Sequence, residues 1–140
     1  MPELTDQDRV ALLTARLGLP AGALRSEIAL EALRHGSYVH EKRLAGEAIE
    51  SNERLEFLGD AVLGLAVSMR CFERHPGAPE GDLTRLRASI VKAESLAQVA
   101  RDLGIGELLL YSMTQNKIIG LVMNEAEALG VNYHIGSSSR

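Results

Sequence analysis

The stretch SNERLEFLGDAVLGLAV at residues 51–67 decides how this chain is read. Glu53, Glu56 and Asp60 stand three and four residues apart, so at about 100° per residue a helix stacks them on one stripe. Leu55, Leu58, Val62, Leu65 and Met69 form the opposite stripe. The acidic stripe continues as Gly64, Val67 and Cys71, which leaves the helix apolar nearly all round beyond Asp60. Such a helix is expected to be largely buried, with its carboxylates at the edge of a core.

Like charges one turn apart cost a helix roughly a few tenths of a kcal/mol, and burying ionised carboxylates costs more unless a partner neutralises them. No Lys or Arg lies three or four residues from Asp60. A hard divalent ion is a natural partner, because magnesium takes one or two carboxylates together with water and substrate phosphate. A solvated acidic face has the same spacing, so the pattern alone leaves both readings open.

Working outward, Ser51 can cap the helix, which runs on through Arg74 until HPGAP at 75–79 stops it with two prolines and a glycine. Toward the N-terminus, Thr5 followed by Asp8 resembles a capping box, and Val10, Leu13 and Leu17 continue a first amphipathic helix over 5–17. GLPAG at 18–22 breaks it. Ser26 can cap a short second helix carrying Ile28, Leu30 and Leu33, and HEKRLAGEAIE at 40–50 reads as a charged connector. Toward the C-terminus, EGDLTRLRASIV (80–91) and KAESLAQVARDL (92–103) are two further helical patterns, ended by the glycines of LGIGE. With no alternating strand pattern and no internal repeat, the fold class is all-α.

Composition agrees. At 140 residues and 46% hydrophobic content the chain can bury one core and has no room for a second module. Aromatics are 4% and Trp is absent, so that core is aliphatic. The opening MPELTDQDRV is charged where a secretory signal needs an apolar run, and no stretch approaches the roughly 18 apolar residues of a membrane span, which predicts a cytoplasmic protein without a membrane partner. Cys71, the single cysteine, is expected to be a buried structural thiol. The net charge of −4 counts against nucleic-acid binding unless bound cations invert the local field. His35, His40, His75 and His134 form no ordered pattern and read as surface or packing residues, so no Ser, Cys or His triad is in evidence.

The wording of 51–67 resembles the signature stretch of the ribonuclease III family almost residue for residue. The likeness extends back to LRHGSYVHE and forward through EGDLTRLRASIVKAESLAQVARDLGIGELL, covering roughly Leu17 to Leu110 in the family's order. The resemblance implies an all-helical, dimeric endonuclease domain. It implies magnesium-dependent hydrolysis of double-stranded RNA to 5′-phosphate and 3′-hydroxyl ends, with manganese as a substitute ion, in processing of ribosomal or other structured RNA. Glu56 and Asp60 match the signature's metal-binding carboxylates, Glu53 matches the acidic residue one turn earlier, and Phe57 matches the apolar residue that projects into the partner subunit. Gly59 sits where metal or backbone would approach closely. Glu80 and Asp82 match a further acidic stretch near the family's catalytic valley. Both also stand where a helix start favours negative charge, and that role is the stronger reading. Arg85 and Arg87 suit phosphate contact or a solvated face equally.

The family carries a second acidic motif in a late helix, an Asp followed three residues later by a Glu. Its best match is MNEAEAL at 123–129, which puts Glu127 on the family's Glu and Asn124 in place of the Asp. In this register the catalytic set is Glu56, Asp60 and Glu127, and the metal set is Glu56, Asp60, Asn124 and Glu127. An amide oxygen holds magnesium more weakly than a carboxylate. The tail from Met113 holds three of the four Asn residues and one of the twelve Arg residues, so the nuclease domain is drawn over 1–130 with a diverged part from about 113, and 131–140 as a disordered tail. Bacterial members normally add a double-stranded-RNA-binding domain. None follows here, so substrate affinity is expected to suffer or a partner to supply the contacts. The alternative function is a catalytically impaired dimer that binds RNA or a ribosome without cutting.

Overall fold

The computed structural model describes residues 3–113, and Asn124, Glu127 and the expected tail at 131–140 lie outside them. The described residues form six α-helices: α1 (Asp6–Arg16), α2 (Ser26–Leu33), α3 (Gly36–Leu44), α4 (Glu53–Arg74), α5 (Glu80–Val91) and α6 (Ala93–Leu103). A short 3-10 turn over Ile105–Leu108 follows. No strand is present among these residues, only one isolated bridge between Arg34 and Leu110. The all-α class stands.

Helix α1 begins as its sequence demands. The Thr5 hydroxyl accepts the Asp8 N–H at 3.1 Å, and the Asp8 carboxylate accepts the Thr5 N–H at 3.2 Å, closing a reciprocal cap. Val10 and Leu13 of α1 meet Ala29 and Leu33 of α2 and Leu108 of the 3-10 turn, and these five make the buried core. Leu108 is completely buried, and its carbonyl accepts from the buried Arg9 guanidinium at 3.0 Å. At Gly104, φ is +67°, the left-handed cap that ends α6.

Three local expectations differ from the structure. The connector at 40–50 is half helical, because α3 runs from Gly36 to Leu44. It buries only Val39 and so lacks the apolar period by which a helix is recognised. Ser26 is the first residue of α2, not its cap; Arg25 takes that position without a side-chain hydrogen bond. At α4 the cap is Asn52, while the Ser51 hydroxyl accepts the Glu53 N–H at 3.4 Å.

The largest correction concerns α4. Of its own 22 residues only Cys71, a free thiol as expected, is buried. Helix α5 folds back against α4 across the 75–79 turn. There an Arg87 guanidinium nitrogen donates to the Ser68 hydroxyl at 3.0 Å. Beside that contact, Gly64 and Val67 are partly buried and Cys71 is buried, along the continuation of the acidic stripe. The opposite side, with Leu58, Val62, Leu65, Met69 and Phe72, stays exposed. A helix apolar all round needs cover on two sides, and the described residues supply one.

Candidate functional site

The acidic stripe begins at a junction of three chain segments. The Asn52 carbonyl accepts the Glu56 N–H at 2.8 Å, the first hydrogen bond of the α4 ladder. The Asn52 side chain, which a capping Asn would turn onto its own helix, instead donates through Nδ2 to the Ala32 carbonyl at 3.2 Å. Its N–H donates to the Arg34 carbonyl at 3.3 Å. Between those acceptors, the Leu33 carbonyl takes the Leu110 N–H at 2.8 Å, and the Leu110 carbonyl takes the His35 N–H at 2.9 Å.

From that start α4 presents Glu53, Glu56 and Asp60 along one stripe, all exposed. Among the described residues they do not sit at the edge of a buried core, contrary to the expectation from the sequence. Phe57 is 84% exposed on the adjoining face. A Cβ added at Gly59 would meet nothing within 4 Å, so packing among the described residues does not require glycine there.

Glu80 is not brought to this stripe. It opens α5 at the far end of α4, and the helix from Asp60 to Arg74 alone spans about 21 Å at ~1.5 Å per residue. There it accepts the Thr84 hydroxyl at 3.0 Å, and Asp82 pairs with Arg85. Both acidic residues therefore serve the first turn of α5, and Arg87 is engaged with Ser68. His35 is also engaged locally. Its Nδ1 accepts the Ser37 N–H at 3.1 Å as the cap of α3, and its ring lies 5.0 Å from that of Tyr111.

Glu56 and Asp60 are hard oxygen donors, one turn apart and open to solvent, which fits the one or two carboxylates that magnesium takes alongside water and phosphate. Among the described residues no group of three His, Cys, Asp or Glu gathers closely enough to hold a metal. Asn124 and Glu127, the other residues expected at the metal, fall outside the described residues. Sequence reasoning missed Asn52, because its contacts are to Ala32 and Arg34, some 20 residues away, and leave no local trace.

A family model described as Ribonuclease-III-like matches residues 25–125. The chain is 51% identical over 108 residues to the Ribonuclease 3 of Myxococcus xanthus, covering 77% of this chain and 40% of that protein. It is 51% identical over 104 residues to the Ribonuclease 3 of Pelotomaculum thermopropionicum, covering 74% of this chain and 41% of that protein. It thus spans about two fifths of these relatives. Among solved structures, the nuclease domain of ribonuclease III from Campylobacter jejuni, described for flexibility in a region involved in dimer formation, superposes with a TM-score of 0.66 at 33% identity. That match covers 79% of this chain and 71% of the other. A matching family model, relatives identical at half their aligned positions and a shared nuclease-domain fold place this chain in the Ribonuclease-III-like family.

Proposed function

We propose that the chain is the nuclease domain of a magnesium-dependent endoribonuclease that cuts double-stranded RNA to 5′-phosphate and 3′-hydroxyl ends, in processing of ribosomal or other structured RNA. One observation carries this reading: Glu56 and Asp60 lie one turn apart on the solvent side of α4, within a segment shared with relatives named Ribonuclease 3. In it Glu56 and Asp60 hold the cation, Glu53 adds negative charge one turn back, and Asn124 and Glu127 complete the ligand set on the strength of the family resemblance. When bound, the cation supplies an activated water and neutralises charge on the leaving oxygen. Manganese substitutes for magnesium, and a negative surface becomes compatible with RNA once cations occupy it.

The same reading makes the chain a homodimer joined across α4. Phe57, Leu58, Val62 and Leu65 form an exposed apolar patch of the kind that marks a protein interface, and a two-fold axis would lay each such face on its copy. Among the described residues no helix is long and apolar enough to cross a membrane. The cytoplasm, where structured RNA is processed, is the location proposed.

Incubation with end-labelled duplex RNA, with magnesium and with a chelator, tests the reading. Magnesium-dependent cutting with 5′-phosphate ends is expected on the duplex and not on a single strand. Binding without cutting would favour the impaired-dimer alternative, and neither would discard both.

A further inference from the structure

Three successive carbonyls at the end of α2 are shared between two incoming segments. Ala32 and Arg34 are taken by the side chain and the N–H of Asn52, and Leu33 by the N–H of Leu110. The last carbonyls of a helix have no partner within it, so a donor from elsewhere is both satisfied and held in register by them. One peptide corner thus fixes the axial position of α4 at its cap residue and, on its other edge, holds Leu110. The tie to that segment continues: the Ser112 N–H donates to the Ser37 hydroxyl at 3.1 Å, and the Met113 N–H to a Glu41 carboxylate oxygen at 3.0 Å.

We infer that Asn52 is a positioning residue for cation binding, setting the placement of Glu53, Glu56 and Asp60 by pinning the start of α4 to the Ala32–Arg34 corner. The inference rests on the cation reading of the stripe given above. Two features separate this role from ordinary helix capping. The Asn52 side chain makes no bond to its own helix. The group it does bind belongs to α2, so its loss would leave the start of α4 held there by the Asn52 N–H on the Arg34 carbonyl alone, loosening the first turn and moving Glu56 without unwinding it. Ser at this position caps a helix as well as Asn does but lacks the reach and the amide donor needed for the Ala32 carbonyl.

The test is Mn2+ binding, followed by the paramagnetic signal of the free ion in the absence of RNA, for wild type, Asn52→Ser, Asn52→Ala and Glu56→Gln. Thermal unfolding of each variant is recorded alongside. Expected is a roughly 10-fold or larger loss of Mn2+ affinity in both Asn52 variants, as for other residues that orient a metal ligand, with α-helical content retained. Should Asn52→Ala fail to fold, Asn52→Ser carries the comparison, because a Ser hydroxyl is itself able to cap the first turn of α4 while the tie to Ala32 is lost. Wild-type affinity in Asn52→Ser, with weakened binding in Glu56→Gln, would overturn the positioning role and leave the cation reading standing. Absence of Mn2+ binding by wild type, or undiminished binding in Glu56→Gln, would overturn both.

Discussion

The Arg87 guanidinium donates to the Ser68 hydroxyl at 3.0 Å, and Ser68 in turn donates to the Gly64 carbonyl at 2.7 Å. This short chain of bonds crosses from α5 to α4 two turns beyond Asp60, at the flank of the acidic stripe's continuation. It gives Arg87 a structural role where the sequence alone left phosphate contact equally open. Arg87→Ala is expected to lower stability by about 1 kcal/mol, the net worth of one hydrogen bond partly shared with solvent, and Ser68→Ala by a similar amount. The double variant should lose less than the sum, measured by urea unfolding. Full additivity would show that the two side chains act separately.

Gly104 offers a sharper backbone test. Its φ of +67° lies where L side chains are strained, and an added Cβ would stand 3.1 Å from the Arg16 guanidinium, which bonds the Gly104 carbonyl and pairs with Glu107 at 3.0 Å. The guanidinium can swing aside, so the backbone term dominates. Gly104→Ala should cost about 1–2 kcal/mol and lower Tm by several degrees in a thermal melt. An unchanged Tm would mean that α6 ends by another route.

Burial raises the Tyr111 phenol above its usual value of about 10, because the anion is disfavoured away from water. The folded state then holds its proton more firmly than the unfolded chain does. The associated stability is complete below the unfolded value of about 10 and is lost as pH rises through the folded one. Tyrosinate absorbance compared between wild type and Tyr111→Phe should assign the late-titrating phenol to Tyr111. Titration at or below the free value would contradict the burial.

Most of the fold was legible in the sequence, for reasons particular to each element. Helix α1 announces itself through Thr5 and Asp8, α4 through its apolar run and the HPGAP stop, and α5 and α6 through spacing and Gly104. Helix α3 was hidden because Val39 is its only buried residue, so no period marked it. The exposure of α4 was misjudged because periodicity reports that a face is apolar and says nothing of which element covers it. For the candidate site, the stripe of Glu53, Glu56 and Asp60 follows from spacing alone, whereas the separation of Glu80 from it follows from the α4–α5 hairpin. The Asn52 bonds to the α2 corner are tertiary, and no local propensity encodes them.

The exposed face of α4 predicts assembly. Light scattering at micromolar concentration should report twice the chain mass, and Val62→Glu, which places a charge in the middle of Leu58, Leu65 and Met69, should return a monomer. A wild-type monomer unaffected by Phe57→Ala would remove the homodimer.

The cation-holding role of the α4 stripe is tested most directly by titrating magnesium against duplex RNA cleavage by wild type and by Asp60→Asn. The substitution deletes a charged ligand while relieving repulsion from Glu56 one turn away, so folding should be preserved and Tm unchanged or slightly raised. Expected is magnesium-dependent cutting by wild type and cutting reduced to background in Asp60→Asn at every magnesium concentration. Cleavage by Asp60→Asn at the wild-type rate and magnesium dependence would contradict the role assigned to this stripe.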